Sequence, residues 1–134
     1  MSRPASTSTI RLADRDALRR KVKKMYDSFN RGLWEKCFAF VDPKLRQGSR
    51  TTLPLYSENL RAFKEAYGTI KTWHIRISLH LDGSSNKADR RAFAYVYVVW
   101  QDAAHEFHMF KERWVKDSGL WYSRVLGLVP NRDT

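Results

Sequence analysis

The sequence predicts a single α+β domain in which helices come first and a mainly antiparallel sheet follows. Three observations predict it. Apolar residues recur at spacings of three and four as far as Gly68 and at a spacing of two beyond it. Turn chemistry in Asp82-Gly83-Ser84-Ser85-Asn86 and Lys116-Asp117-Ser118-Gly119 separates the alternating segments of the second half. A chain of 134 residues, 43% of them apolar, has material for one continuous core and too little for two.

The elements follow in order. Residues 1–9 (MSRPASTST) are polar and aperiodic and read as a flexible leader, with residues 10–134 as the domain. Leu18, Val22, Met25, Tyr26, Phe29 and Leu33 share one stripe of a first helix, for which Asp14 is the expected cap and Gly32 the loosening point. Its other face pairs Asp16 with Arg20, Lys23 with Asp27 and Asp27 with Arg31 at helix-neighbour spacing. Arg19, Arg20, Lys23 and Lys24 remain in local excess and are candidates for an anion patch.

Trp34, Cys37, Phe38 and Val41 predict a second helix ended by Asp42-Pro43, a pair that also suits the cap and first position of another turn. Residues 47–53 read as a loop or short edge strand. Tyr56, Leu60, Phe63 and Tyr67 predict a third helix starting near Ser57 and capped by Gly68.

In the sheet, Trp73, Ile75, Ile77, Leu79 and Leu81 alternate with polar residues, giving a strand with one dry face. Residues 91–101 are apolar on both faces and so need two covers: the helices on one side, and a loop, the tail or a second subunit on the other. A strand over 105–116 and another over 120–129 are joined by Lys116-Asp117-Ser118-Gly119, which suits a type I turn with a glycine bulge. That turn would set Trp114 opposite Tyr122 and Glu112 opposite Arg124. Either face of the last three strands could meet the helices on this pattern.

Composition narrows function by exclusion. The net charge is +11, with twelve Lys/Arg against five Asp/Glu in residues 1–48. Such a field attracts anions and also keeps a protein soluble. No apolar stretch approaches the roughly 20 residues of a membrane span, and no signal core opens the chain, so a cytoplasmic, membrane-free protein is expected. Cys37 is the single cysteine, which rules out an internal disulfide or a cysteine zinc cluster and suggests a small buried hydrophobe. His74 and His80 lie roughly 20 Å apart if on one strand. We expect neither metal nor cofactor. Phosphate loops, nucleophile elbows and known nucleic-acid modules are missing, so nucleic-acid binding would rest on charge alone.

The element order, with MYDSFNRGLWEKCFAFVDPKLR early and ERWVKDSGLWYSRVLGLVPN late, resembles the nuclear-transport-factor-2-like superfamily of cystatin-like cone folds over about residues 12–130. The resemblance implies three helices packed on a strongly curved, four- to five-stranded sheet, a small ligand in the mouth of the cone, and a homodimer through the outer sheet face. Relatives of ketosteroid isomerase, scytalone dehydratase and polyketide cyclases in that superfamily use pocket carboxylates, histidines or tyrosines as acid–base groups. Residues 43–57 contain no carboxylate where the isomerase base would lie, and Met25 stands where its tyrosine would.

His108, Glu112, Tyr122 and Arg124, with Tyr26 of the first helix, are the pocket candidates, since polar groups among aromatics mark a ligand site. The competing account is a cross-strand ion pair on a wet face. The expected function is a homodimeric domain binding a small apolar or anionic molecule without catalysis. One alternative is an acid–base enzyme on a small carbonyl substrate using His108, Glu112 and Tyr122 or Tyr26. The other is a basic module binding nucleic acid or an acidic protein through Arg19, Arg20, Lys23 and Lys24.

Overall fold

The structure, a computed structural model, describes residues 7–81 and 91–125. Neither Pro nor Gly interrupts the chain from Thr7 to Asn30, and a continuous helix α1 spans that range (Thr7–Asn30). It therefore begins seven residues before Asp14, and residues 7–9 of the expected leader belong to it, while residues 1–6 lie outside the described residues. Asp14 is not a cap. Its carboxylate accepts from Lys116 Nζ at 2.8 Å, joining the helix to the sheet. The predicted stripe holds for five of its six residues: Leu18, Val22, Met25, Tyr26 and Phe29 are buried, while Leu33 lies beyond the end of α1, at the start of the next helix, and is half-buried.

Gly32, at φ +70°, turns the chain into α2 (Trp34–Ala39). Asp42 then caps α3 (Pro43–Gly48) by accepting from the Lys44 N–H, with Pro43 in the first turn. The next helix, α4 (Leu53–Tyr67), starts four residues earlier than expected, because the Thr52 hydroxyl caps it and Pro54 occupies its first turn. Gln47 and Gly48 close α3 and Leu53 opens α4, so the segment 47–53 is not a strand.

Gly68 ends α4 at φ +74° with its N–H on Lys64 O. A Cβ there would come within 2.5 Å of Ala103 Cβ, so glycine is required on two independent grounds. The end of α1 is fastened to the start of the sheet by Asn30, whose amide donates to Ile70 O at 2.7 Å and accepts from Ile70 N at 2.8 Å.

Four strands follow: β1 (Lys71–His80), β2 (Phe93–Gln101), β3 (Phe107–Asp117) and β4 (Leu120–Ser123). They pair antiparallel in chain order. The fold is α+β with the helices ahead of the sheet. Ile75, Ile77 and Leu79 face the helices beside Val98, Val96 and Ala94 of β2, and β3 adds Phe110 and Trp114. The register shifts between Thr72 and His74, so Trp73 escapes the alternation of β1 and is 55% exposed instead of facing the core.

The last hairpin differs from expectation by one residue. Ser118 and Gly119 both have positive φ, 52° and 82°, which makes a two-residue type I′ turn matching the twist of the strands. Asp117 pairs with Leu120, and Trp114 lies opposite Ser123. A one-residue change of register exchanges faces. Trp121 and Ser123 are therefore buried with Trp114, while Tyr122 pairs with Val115 on the opposite face. Glu112 and Arg124 do not pair.

Candidate functional site

Burial of β3's inward face places one carboxylate in the core. Glu112 is 3% exposed, and its Oε2 accepts from the Tyr26 hydroxyl of α1 at 3.0 Å. Burial pushes the Glu112 carboxyl up to about 7, against the downward pull of Tyr26 and of the neighbouring Trp114 indole. Burial, reinforced by Glu112, also holds the Tyr26 hydroxyl well above its ordinary value. Glu112 Oε1 has no partner, the Trp114 N–H falls short of a full hydrogen bond, and the indole N–H groups of Trp100 and Trp121 are likewise unpaired.

A small cavity lies beside α2 and α4, lined by Met25, Phe29, Cys37, Tyr56, Leu60, Ser123 and Val125. Its volume of ≈ 10 Å³ accommodates one water and no organic substrate. The thiol of Cys37 contacts Met25 O at 3.8 Å and is pushed by burial to about 12, so it is not a thiolate nucleophile at neutral pH.

The sequence-predicted pocket residues divide among four places. Tyr26 and Glu112 meet in the core. His108 shares Glu112's face but lies four residues along the strand, roughly 13 Å away. Its Nε2 is 2.9 Å from Asp102 Oδ2, and its ring stacks on Trp100 at 4.3 Å, so it braces the β2–β3 connection. The hydrogen bond from His108, with the N–H groups of Glu106 and Ala104, outweighs the opposing effect of burial and holds Asp102 below its ordinary carboxylate value. Tyr122 has its ring 5.3 Å from Lys21 Nζ. Arg124 donates to Asp42 Oδ2 at 2.9 Å.

The four candidate cations of α1 also divide, because positions 19 and 23 lie on a different side of a helix from 20 and 24. Arg19 and Lys23 line an open groove of ≈ 360 Å³ with Thr72, Trp73, His74 and Ile75 at the free edge of β1. Arg20 and Lys24 line a separate groove of ≈ 200 Å³ against Gly119, Leu120 and Trp121.

The Arg19–Lys23 groove shares Trp73 and His74 with the sheet face turned away from the helical core. There Phe93, Tyr95 and Tyr97 stand outward on β2, with Arg76 of β1 and Lys111 and Arg113 of β3 beside them. Lys71 lies 4.6 Å from the ring of Trp73, Arg76 4.6 Å from Tyr97, Lys111 4.8 Å from Tyr95, and Arg113 4.6 Å from Phe93. Trp73, Phe107 and Met109 are 55%, 58% and 40% exposed at one end of the face. The Trp73 N–H is anchored to Gln101 Oε1 at 3.1 Å. Among the described strands the only carboxylates are Glu112, which points inward, and Asp117, which Arg91 holds at the far corner at 3.1 Å. Four cations thus stand over aromatic rings with no acid among them.

No protein-family model, curated protein or solved structure matches the chain. Its own residues are what bear on its function. Among those described, no group of three or more His, Cys, Asp or Glu is placed to hold a metal ion, and no helix is long and apolar enough to cross a membrane.

Two arrangements were not read from the sequence. Asp42, fully buried, takes a bidentate pair of 2.8 Å bonds from Arg91 and the bond from Arg124. Burial pushes its carboxyl up, but these guanidiniums and the Lys44 N–H more than offset that and hold it below the ordinary range. The only linear trace of this network is the Asp-Pro cap signal. The cation-over-ring face was legible in principle, since Arg76, Lys111 and Arg113 alternate outward on β1 and β3 while Phe93, Tyr95 and Tyr97 do so on β2. It emerges only when the three strands are placed in register.

Proposed function

We propose that this chain is a binding module for a polyanion, using the outer face of the sheet and the adjoining Arg19–Lys23 groove, and that it performs no chemistry of its own. One observation carries this: Lys71, Arg76, Lys111 and Arg113 stand on the outer face, and among the described strand residues no carboxylate lies between them to neutralise their field. Two copies docked symmetrically through this face would oppose cation to cation, at a cost in affinity. The enclosed space beside Cys37, ≈ 10 Å³, is too small for an organic ligand. The Glu112–Tyr26 pair is enclosed and acts in packing.

The test is binding of fluorescently labelled heparin as salt is varied. Affinity should fall steeply with ionic strength, and Arg76→Glu with Lys111→Glu should abolish it at salt concentrations where the parent chain still binds. Absent or salt-insensitive binding at low ionic strength would defeat the proposal.

A further inference from the structure

Resting on that reading, we infer that the polyanion is single-stranded nucleic acid, its bases stacking on Trp73 and Phe107 and its phosphates held by Lys71, Arg76, Lys111 and the Arg19–Lys23 groove. Charge alone would suit any polyanion. The exposed rings discriminate. Trp73 stands out of the strand's alternation because the register shifts at its position, and its indole is pinned by Gln101. Phe107 lies at the end of β3 with its ring centroid 5.8 Å from that of Trp73, the planes inclined at 59°. The two rings therefore do not stack on each other, and both are more than half exposed.

Such rings offer π-faces to any base whose own faces are free, which is the condition of a single strand and not of a duplex interior. Around them the cations form a track. Arg76 and Lys111 flank Tyr97 across three adjacent strands, a span of about 10 Å at the backbone. Lys71 sits beside Trp73, and the groove of Arg19, Lys23 and His74 continues around the β1 edge. Stacking platforms interleaved with backbone-tracking cations are the arrangement by which proteins hold single strands without base-specific hydrogen bonds. An acidic protein or a sulfated polysaccharide would use the cations and leave the rings idle.

The experiment compares three labelled probes: an oligodeoxythymidine, a duplex of equal length, and heparin. Each is titrated with the parent chain and with Trp73→Leu/Phe107→Leu, whose fold is checked by thermal melting and whose mass is checked by light scattering. Both residues are exposed, so the variant should melt like the parent. We expect the single strand to bind the parent more tightly than the duplex. The variant should lose about tenfold or more toward the single strand while heparin binding is unchanged. Equal losses toward all probes, no loss toward the single strand, or preference for the duplex would overturn the inference and leave the polyanion proposal standing if heparin still binds. A parent dimer converted to monomer by the variant would overturn it in favour of a second copy as occupant. Failure of every probe to bind would defeat both proposals.

Discussion

The hydroxyl of Tyr26 donates to Glu112 Oε2 at 3.0 Å across 86 positions of sequence, fastening the C-terminal part of α1 to the middle of β3 inside the core. It is the one hydrogen bond the Glu112 carboxyl completes, since its other oxygen is unpartnered. A buried acid of this kind links stability to protonation.

Because burial raises the Glu112 carboxyl to about 7 from an ordinary 4.5, the folded chain binds that proton more tightly than the unfolded chain. Its contribution to stability is therefore fully present below about 4.5 and is lost as pH rises through about 7. Glu112→Gln mimics the protonated state. Urea denaturation at about pH 5 and about pH 8 should show the parent losing more stability than the variant over that interval. Parallel losses in the two chains would contradict the assignment. Tyr26→Phe, which removes the donor, should cost about 1–3 kcal/mol in the same assay.

Asp42 has the opposite sign. Its carboxyl is held below the ordinary range, so its contribution is present above an unfolded value of about 4 and disappears as pH falls through the folded one. Asp42→Ala leaves the Arg91 and Arg124 guanidiniums without their buried acceptor and should cost about 3–5 kcal/mol. Arg124→Ala should cost less, since the Arg124 side chain is 31% exposed. Equilibrium unfolding of the two variants checks the ranking.

Gly68→Ala should be destabilising by more than about 1 kcal/mol, combining the left-handed strain at φ +74° with the 2.5 Å approach to Ala103 Cβ. Adding Ala103→Gly relieves the collision and leaves the strain. Thermal melts should place the double variant between Gly68→Ala and the parent. Full recovery would show that the backbone angle costs nothing.

The two sides of α1 should separate in binding. Arg19→Ala/Lys23→Ala removes two cations from the groove at the β1 edge, and the log–log salt slope for polyanion binding should fall by about two. Arg20→Ala/Lys24→Ala removes the same charge from the groove beside Leu120 and should leave the slope nearly unchanged. Equal effects would mean that only net charge matters.

Periodicity made the interior face of α1 and the inward residues of β1 legible, because each is fixed by one element's own geometry. What escaped was set by neighbours. Lys116-Asp117-Ser118-Gly119 suits either a three-residue or a two-residue turn, and only pairing against β3 decides between them, with Tyr122 changing faces accordingly. Asp14 has the chemistry of a cap, yet nothing upstream stops a helix, so the chain continues back to Thr7. Tyr26 and Glu112 were each recognisable as candidates, but their contact depends on how α1 lies on the sheet. Arg124 found its acceptor in Asp42 of the α2–α3 junction, to which no spacing rule connects it.

The shift in register beside Trp73 separates two kinds of selection. A residue in regular alternation answers to the core through its neighbours two positions away. One that stands outside the alternation answers only to whatever meets the surface. Position 73 can therefore change from one aromatic to another, or to a polar residue, without altering how Ile75, Ile77 and Leu79 pack. At this point the domain can acquire a new preference in evolution or in the laboratory while its folding is left alone.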